Sequence, residues 1–260
     1  MRLIRFVDDN GNAQNGWILN DKVGKLRGNV FDEFQRDQAT FALNEIRLLP
    51  PVTPGKIICV GRNYPAHAKE HGVDVPKVPL IFMKPPSAVI AHKQEIVLPP
   101  QSSQVEHEAE LAVVIGKSGR WITADDAKKY ILGYTIANDV TARDLQRKDK
   151  LWTRAKGFDT FCPLGPWIDT EMNPLDTLIT CRVNGEMRQM GSTRDMVFSI
   201  PQLIAYISSI MTLNPGDVIL TGTPAGVSPL APGDLVEVNI EGLGILQNTV
   251  IEHTNEWNNS

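Results

Sequence analysis

Several features that mark specialised classes of protein are scarce or absent in this sequence of 260 residues. It has three cysteines, and none of them form the CxxC spacing of zinc or dithiol sites. It has no run of roughly 18 apolar residues that could span a membrane, and its N-terminus lacks the apolar run of a signal peptide. Its net charge of −4 comes without a basic stripe, which argues against nucleic-acid binding. We therefore expect a cytoplasmic protein, without membrane or nucleic-acid partners, whose thiols are buried and reduced.

The chain has the length and composition of an ordinary globular protein. Hydrophobic residues make up 42% and charged residues 22%, which is enough apolar material for a core. Three prolines lie between Pro50 and Pro54, and since proline fixes φ and restricts the preceding residue, this segment predicts an extended connector. We therefore divide the chain into a small N-terminal domain, residues 1–52, and a larger domain, residues 53–260. The first piece is too small to bury much by itself.

Short apolar runs separated by turn residues are frequent beyond the connector and predict β-strands. The run Glu110–Ile115 predicts a buried strand, and Gly133–Asn138 predicts a second one. The pair Asn184-Gly185 between two such runs predicts a hairpin. Helices are predicted over Asp32–Thr40, Asp125–Leu132 and Ser199–Ser209. Many strands and few helices favour a mostly β or α+β fold over a doubly wound sheet.

Three glutamates alternate at the start of the first buried run. Because residues i and i+2 of a strand point to the same face, Glu106, Glu108 and Glu110 are expected to share one side. Carboxylates so placed repel each other unless water or a cation neutralises them. A hard divalent cation such as Mg²⁺, which takes oxygen ligands, would resolve the conflict. Asp139, at the end of the second run, could complete the cluster. A solvated strand end and an ordinary turn aspartate are the alternatives.

The segment Tyr64–Gly72 predicts a short helix, with a proline in its first turn and a glycine at its end. His67 and Glu70 are three residues apart and therefore share a helix face. A histidine oriented by a carboxylate can act as a general base near neutral pH. The alternative is a surface helix with an incidental ion pair, and His71 is assigned no functional role.

Five segments, in order, resemble signatures of the fumarylacetoacetate hydrolase family. They read ICVGRNYPAHAKEHG, HEAELAVVIGK, GYTIANDVTARDLQ, WTRAKGFDTFCPLGP and GDVILTGTPAGVSPLAPGD, and together they span roughly residues 56 to 250. The resemblance implies a mixed β-sandwich roll, a small N-terminal domain and a homodimer. It also implies one Mg²⁺ ion, with Mn²⁺ as the alternative, bound by Glu108, Glu110 and Asp139. Glu106 lies outside the family's pair of glutamates.

The same resemblance implies roles for residues outside the metal site. His67 matches the base that activates water, with Glu70 as its orienting partner. Lys156 matches a site residue that holds developing negative charge. The residues that match substrate-facing positions are Arg143, Gln146 and Thr223. The glycine-rich run around Thr223 lacks the spacing of a phosphate-binding loop.

The reaction implied is conversion of a small 2-oxo or 1,3-dicarbonyl acid through a metal-stabilised enolate. Hydrolysis of a C–C bond in an acylpyruvate-like substrate is the form we favour from the sequence. The same enolate would also support isomerisation of a hydroxymuconate-type diacid, or tautomerisation or decarboxylation of oxaloacetate. The short interval between Arg143 and Lys156 is closer to the isomerase and tautomerase members. A non-catalytic metal-binding scaffold is a further alternative, although the full set of site residues is retained.

Overall fold

In the computed structural model, which describes residues 1–254, strands far outnumber helices. The N-terminal part contains β1 (Arg2–Val7), β2 (Ala13–Leu19), β3 (Lys22–Gly28), β4 (Phe34–Arg36), β5 (Phe41–Ala42) and β6 (Arg47–Leu49). The rest contains β7 (Ile57–Gly61), β8 (Leu80–Lys84), β9 (Val89–Ile90), β10 (Ile96–Leu98), β11 (Val105–Glu106), β12 (Ala109–Ile115), β13 (Ile131–Asn138), β14 (Thr141–Ala142), β15 (Cys162–Asp169), β16 (Leu178–Val183), β17 (Glu186–Ser192), β18 (Val218–Leu220), β19 (Leu235–Ile240) and β20 (Gly244–Glu252). Its α-helices are α1 (Pro65–Glu70), α2 (Arg143–Asp149), α3 (Thr153–Lys156) and α4 (Ile200–Ile210), and 3₁₀ helices cover Leu43–Glu45, Pro86–Ala88, Ala127–Tyr130 and Thr193–Asp195. The mostly β fold class is confirmed.

The strands form a large sheet, a five-stranded sheet and a two-stranded ribbon. The main path of the large sheet runs β4-β3-β2-β1-β15-β13-β12-β18-β7-β8, and the smaller sheet runs β10-β20-β19-β16-β17. Along the main path, only β18 and β7 are parallel neighbours. No helix in the described part of the chain combines the length and apolarity needed to cross a bilayer.

Strand β12 lies between two apolar clusters, which explains its continuous apolar sequence. Leu111 and Val113 pack in the cluster that contains residues of the five-stranded sheet, whereas Ala112 and Val114 belong to the cluster on the opposite face. A strand buried on both faces has no solvent side and therefore needs no polar alternation. Glu108 and Glu110, at the start of this strand, are consequently held at the end of a rigid, buried element.

The N-terminal strands continue the large sheet, because β1 pairs with β15 through Arg2 opposite Asp169 and Leu3 opposite Ile168. They also have a small cluster of their own, formed by Ile4, Phe6 and Val23. The division of the chain at residue 52 therefore stays a prediction. All three cysteines are buried and none forms a disulfide within residues 1–254.

Two of the predicted helices are wrong. The segment Asp32–Thr40 contains β4, which pairs with β3, so its polar residues lie along an exposed strand rather than a helix. In Asp125–Leu132 only a 3₁₀ turn forms, since Ile131 already pairs with Ile115 in β12. Strand pairing overrides local helix propensity in both places. The helix α4 and the hairpin of β16 and β17 are confirmed. The hairpin turn has φ of 53° at Asn184 and 79° at Gly185, and the favoured two-residue hairpin turn needs positive φ at both positions.

Candidate active site

Three buried carboxylates meet at one end of the paired central strands β12 and β13. Glu110 lies in β12, Glu108 directly precedes it, and Asp139 directly follows β13. Antiparallel pairing of Ala109 with Asn138 brings these positions together. One oxygen of each carboxylate lies within 4.8 Å of the others, and the three side chains are almost fully buried. The structure therefore places the three predicted metal ligands in one group.

Cationic side chains surround two of these carboxylates. Lys156 Nζ, from α3, donates to Glu108 Oε2 and to Asp139 Oδ2, each at 2.7 Å. Arg143, at the start of α2, donates from Nη2 to Glu108 Oε1 and from Nε to Glu106 Oε2, the latter at 2.7 Å. Glu106 thus pairs with Arg143 and lies outside the group of three carboxylates, as the family resemblance implies.

These contacts fix the charge states of the buried groups. Burial alone would raise the pKa of the Glu108 carboxyl, but Lys156 and Arg143 lower it well below its usual range. Burial alone would lower the pKa of Lys156, yet Asp139 and Glu108 raise it above its usual value. Glu108 is therefore ionised and Lys156 is charged at neutral pH.

Glu110 is the member of the group that lacks a cationic partner. It accepts a hydrogen bond of 2.6 Å from the Gly222 backbone N–H, and no salt bridge to it is found within residues 1–254. Burial and the neighbouring Asp139 and Glu108 raise the pKa of its carboxyl well above the usual value. A divalent cation would supply the missing positive charge, and three carboxylates form the oxygen donor set that Mg²⁺ and Mn²⁺ take. The residues present therefore fit such an ion.

Lys84, which the sequence analysis did not single out, is the second buried ammonium of the group. At the end of β8, its Nζ donates to Asp139 Oδ1 at 2.6 Å and to the Val140 carbonyl at 3.1 Å. Pairing of β7 with β8, Ile57 opposite Lys84, buries it completely. Its sequence signal is weak, because a lysine that ends an apolar run is usually an exposed strand end.

Gln189, on β17, is another buried residue that the sequence did not indicate. Its amide donates to Thr223 Oγ1 at 2.7 Å, and its Oε1 accepts from the Ala109 backbone N–H at 3.0 Å. The Thr223 hydroxyl in turn donates to the Ala109 carbonyl at 2.8 Å. In this arrangement the hydroxyl proton of Thr223 is committed to Ala109 rather than directed to a substrate.

The predicted base lies on a different element from the carboxylates. His67 is buried on α1, and its Nδ1 lies 3.2 Å from Glu70 Oε2. Glu70 is held by the Gly226 backbone N–H, which donates to it at 3.1 Å. Burial lowers the pKa of His67 below its usual value, although Glu108 and Glu70 oppose the shift. His67 is therefore neutral at neutral pH, and a proton on Nδ1 facing Glu70 leaves Nε2 free as a base.

A cavity of about 230 Å³ connects the two halves of the site. It is lined by His67, His71, Glu108, Glu110, Asp139, Arg143, Gln146, Lys156 and Thr223, among others. Arg62, Arg147 and Trp152 line both this cavity and a larger open groove beside it. Gly61 admits Trp152 to this wall, since a Cβ there would lie 2.7 Å from the indole ring. All the predicted site residues except Glu70 line the cavity. Glu70 contacts His67, which lines it.

Two family models match the chain. The model described as fumarylacetoacetate (FAA) hydrolase C-terminal matches residues 56–251, and the model described as Rv2993c-like, N-terminal matches residues 1–51. Human mitochondrial oxaloacetate tautomerase FAHD2A is 50% identical over 221 residues, which cover 80% of this chain and 70% of that protein.

Solved structures agree with this assignment. The crystal structure of 5-carboxymethyl-2-hydroxymuconate delta-isomerase from Mycobacterium smegmatis is 42% identical, with a TM-score of 0.90 over 97% of this chain and 100% of that one. Maleylpyruvate hydrolase from Sphingobium sp. SYK-6, in complex with manganese(II) ion and pyruvate, is 32% identical, with a TM-score of 0.80 over 98% of this chain and 100% of that one. The chain is an enzyme of the fumarylacetoacetate hydrolase family, as its five sequence segments predicted.

Proposed function

We propose that this enzyme moves a proton at the carbon next to the carbonyl of a small 2-oxo dicarboxylic acid. Tautomerisation of oxaloacetate and isomerisation of a hydroxymuconate-type diacid are the two forms of this chemistry. The observation that carries the proposal is that three buried carboxylates and the neutral His67 line the same cavity. Its volume of about 230 Å³ lies below the usual range of ligand pockets, about 300–1,000 Å³, and favours a compact substrate.

Glu108, Glu110 and Asp139 would hold the Mg²⁺ or Mn²⁺ ion. When bound, this ion acts as a Lewis acid that polarises the 2-oxo group and makes an enolate accessible. Lys156 adds a buried positive charge next to the same carboxylates. A preorganised charge in a site that excludes water stabilises developing negative charge more strongly than an exposed one would.

His67 Nε2 would take the proton from the carbon next to the 2-oxo group. It would return that proton to the 2-oxygen in a tautomerisation, or to the distal carbon of the conjugated system in an isomerisation, and the reverse reaction moves the same proton back. The Glu70 carboxylate faces Nδ1 at 3.2 Å, so it holds the ring in one orientation and stabilises the cation that forms after proton uptake. The Gly226 backbone fixes Glu70 in turn. Proton transfer therefore depends on α1 and its contact with the loop around Gly226.

The second carboxylate of the substrate would lie at the mouth of the cavity. Arg62 and Arg147 line this mouth together with Gln146, and guanidinium groups suit bidentate binding of carboxylate. Arg62 adopts a φ of 57°, which is uncommon outside glycine. Such backbone strain concentrates at functional sites, and Arg62 is one of the residues that line this mouth.

Hydrolysis of an acylpyruvate-like substrate is the second candidate, because the same pair, His67 and Glu70, could deprotonate water instead of carbon. The likeness to maleylpyruvate hydrolase supports this alternative. Decarboxylation of oxaloacetate would require the same metal site without a base. We also infer a homodimer from the family resemblance, and light scattering of the purified protein tests it.

The experiment is a substrate panel with saturating Mg²⁺ and, in parallel, with EDTA. It contains enol-oxaloacetate, followed separately for ketonisation and for CO₂ release, a hydroxymuconate-type diacid and acetylpyruvate. We expect metal-dependent turnover of a diacid without C–C cleavage. The variant Glu110→Gln should be inactive, and the matched variant Glu95→Gln, at an exposed glutamate, should keep its activity. Cleavage of acetylpyruvate as the fastest reaction would instead establish the hydrolase.

A further inference from the structure

A second group of side chains that could ligate a metal lies on α1, which carries the proposed base, and on His71, which directly follows it. His67, Glu70 and His71 each offer one ligand atom, and these atoms lie within 4.8 Å of one another. The segment reads H-A-K-E-H, with histidines at i and i+4 and a glutamate between them. This H-x-x-E-H spacing is that of a helical zinc motif, because residues four apart lie on the same helix face.

The geometry of this group needs little adjustment to surround an ion. Neighbouring ligands of a tetrahedral zinc ion, bound at about 2.0–2.1 Å, are about 3.3 Å apart. His67 Nδ1 and Glu70 Oε2 are already 3.2 Å apart. The two imidazole rings meet edge to face with centroids 4.6 Å apart. The His71 backbone N–H also donates to the His67 carbonyl, which fixes the two histidines one turn apart.

The donor types distinguish this group from the carboxylate group. Two imidazole nitrogens and one carboxylate suit a borderline ion such as Zn²⁺, whereas three carboxylates suit Mg²⁺ or Mn²⁺. Glu70 and His71 are exposed, and His71 also lines the cavity, so an ion can reach the group from solvent. Of the charged groups near His71, the positive charge of Arg143 disfavours binding of a cation at this group, whereas the negative charge of Glu108 favours it.

We propose that His67, Glu70 and His71 form a second metal site for Zn²⁺ or a similar borderline ion, and that its occupation inhibits the enzyme. A neutral imidazole has one basic lone pair, so a His67 that ligates metal through either nitrogen has none left to accept a proton. The inhibition rests on the proposed function of His67 as the base, whereas the metal site itself does not.

The first arm of the test measures binding. The full-length protein, saturated with Mg²⁺, is titrated with Zn²⁺ in a calorimeter, as are His71→Ala, His71→Gln and the matched variant Lys69→Ala on the same helix. Loss of one ligand should weaken zinc binding by at least about tenfold in both His71 variants, with Lys69→Ala unchanged. Using two replacements guards against misfolding of one of them. Equal zinc binding by wild type and both His71 variants would overturn the proposal.

The second arm measures turnover of the best substrate under the same conditions, with each variant compared with its own zinc-free rate. We expect zinc to inhibit the wild type and Lys69→Ala, and the His71 variants to need at least about tenfold more zinc for the same inhibition. Equal inhibition of the His71 variants would place the ion at the carboxylates and overturn the proposal. Zinc that binds through His71 without slowing turnover would overturn the inhibition, and the rate of His67→Ala in the same assay would decide separately whether His67 is the base. If no substrate turns over, the binding arm alone decides whether the site exists.

Discussion

The three carboxylates that line the cavity lie at one end of the two central strands of the large sheet, here called the strand side, whereas His67 lies on a helix of six residues, the helix side. The strand side is enclosed by two apolar clusters, and Glu108, Glu110 and Asp139 are at most 4% exposed. On the helix α1, only His67 and Ala68 are buried. Local stability follows burial and packing, so the strand side is the more rigid of the two.

We infer from this difference that the strand side binds the cation and the helix side transfers the proton. The strand side concentrates charge where water cannot screen it, which favours tight and specific binding of a cation. The helix side keeps a histidine neutral beside one carboxylate, which favours proton transfer. Variants on the two sides should therefore separate metal affinity from catalytic rate, and the following predictions test that separation.

The largest effect is expected from Glu110→Gln. Replacing this proposed ligand should reduce Mn²⁺ affinity and activity by more than about 100-fold, since the loss of residues that only orient a metal's ligands already costs about 10–100-fold. Without metal, the variant should resist urea as well as the wild type or better, because burial and the neighbouring Asp139 and Glu108 disfavour an ionised carboxylate at this position and a neutral amide avoids that cost. Calorimetry and urea unfolding measure the two quantities. Wild-type metal affinity in this variant would remove Glu110 from the site.

On the helix side, His67→Ala should lower kcat by about 10²–10⁴-fold, the usual contribution of a general base. Its Mn²⁺ affinity should stay close to that of the wild type, since His67 lies outside the carboxylate group. Steady-state kinetics and Mn²⁺ titration check this, with Lys69→Ala as the control on the same helix. Parallel losses of rate and affinity would mean that the two sides do not act separately.

Lys84→Met tests whether the strand side depends on its buried counterions. Removing this ammonium leaves Asp139 Oδ1 without its partner at 2.6 Å. Breaking a buried ion pair from one side costs about 3–5 kcal/mol of stability. Metal affinity should also fall, by about 10–100-fold, because Asp139 then keeps only one of the two ammonium contacts that orient it. Urea unfolding with and without Mn²⁺ measures both, against Lys117→Met at an exposed lysine. Unchanged stability would contradict this role of Lys84.

Substitutions at the mouth of the cavity should change the kinetics less than those at the carboxylates or at His67. Arg147 is exposed, so Arg147→Ala should raise KM for a 2-oxo diacid by up to about tenfold, the value of one partly screened contact to a carboxylate. KM for a 2-oxo monoacid should not change, and Arg120→Ala, another exposed arginine, should behave as wild type. An equal change in KM for both acids would contradict the proposal that the second carboxylate of the diacid lies at this mouth.

The smallest effect concerns pH. Because burial lowers the pKa of His67 and the base must be neutral, kcat/KM should rise with pH and level off below about pH 6.5, the ordinary value for histidine. Glu70 raises this pKa, so Glu70→Gln should move the acidic limb to lower pH. A pH–rate profile of both proteins measures the shift. A limb that moves to higher pH in the variant would contradict the contact as described.

The central strands and the hairpin could be predicted from sequence because their signals are local. The apolar run that contains Leu111 to Ile115 indicates a strand buried on both faces. The pair Asn184-Gly185 indicates a turn with positive φ. The site contacts of Lys84 and Gln189 could not be predicted, because their partners, Asp139 and Thr223, are distant in sequence. Only the pairing of strands brings them together, and no pattern within one segment encodes it.

The alternation of Glu106, Glu108 and Glu110 shows the limit of such patterns. Strand geometry predicts that the three share a face, but β11 ends at Glu106 and β12 begins at Ala109. Glu106 contacts Arg143 instead of the other two carboxylates. The family resemblance separated it from the ligand pair, which spacing alone could not do.

The proton transfer proposed for His67 is tested most directly by hydrogen–deuterium exchange at C3 of oxaloacetate, followed by proton NMR in D₂O with saturating Mg²⁺. We expect fast exchange with the wild type, none above background with EDTA or with Glu110→Gln, and greatly reduced exchange with His67→Ala although it still binds the metal. Exchange at the wild-type rate in His67→Ala would contradict this proposal, because the proton would then be moved by a group other than the helix-borne histidine.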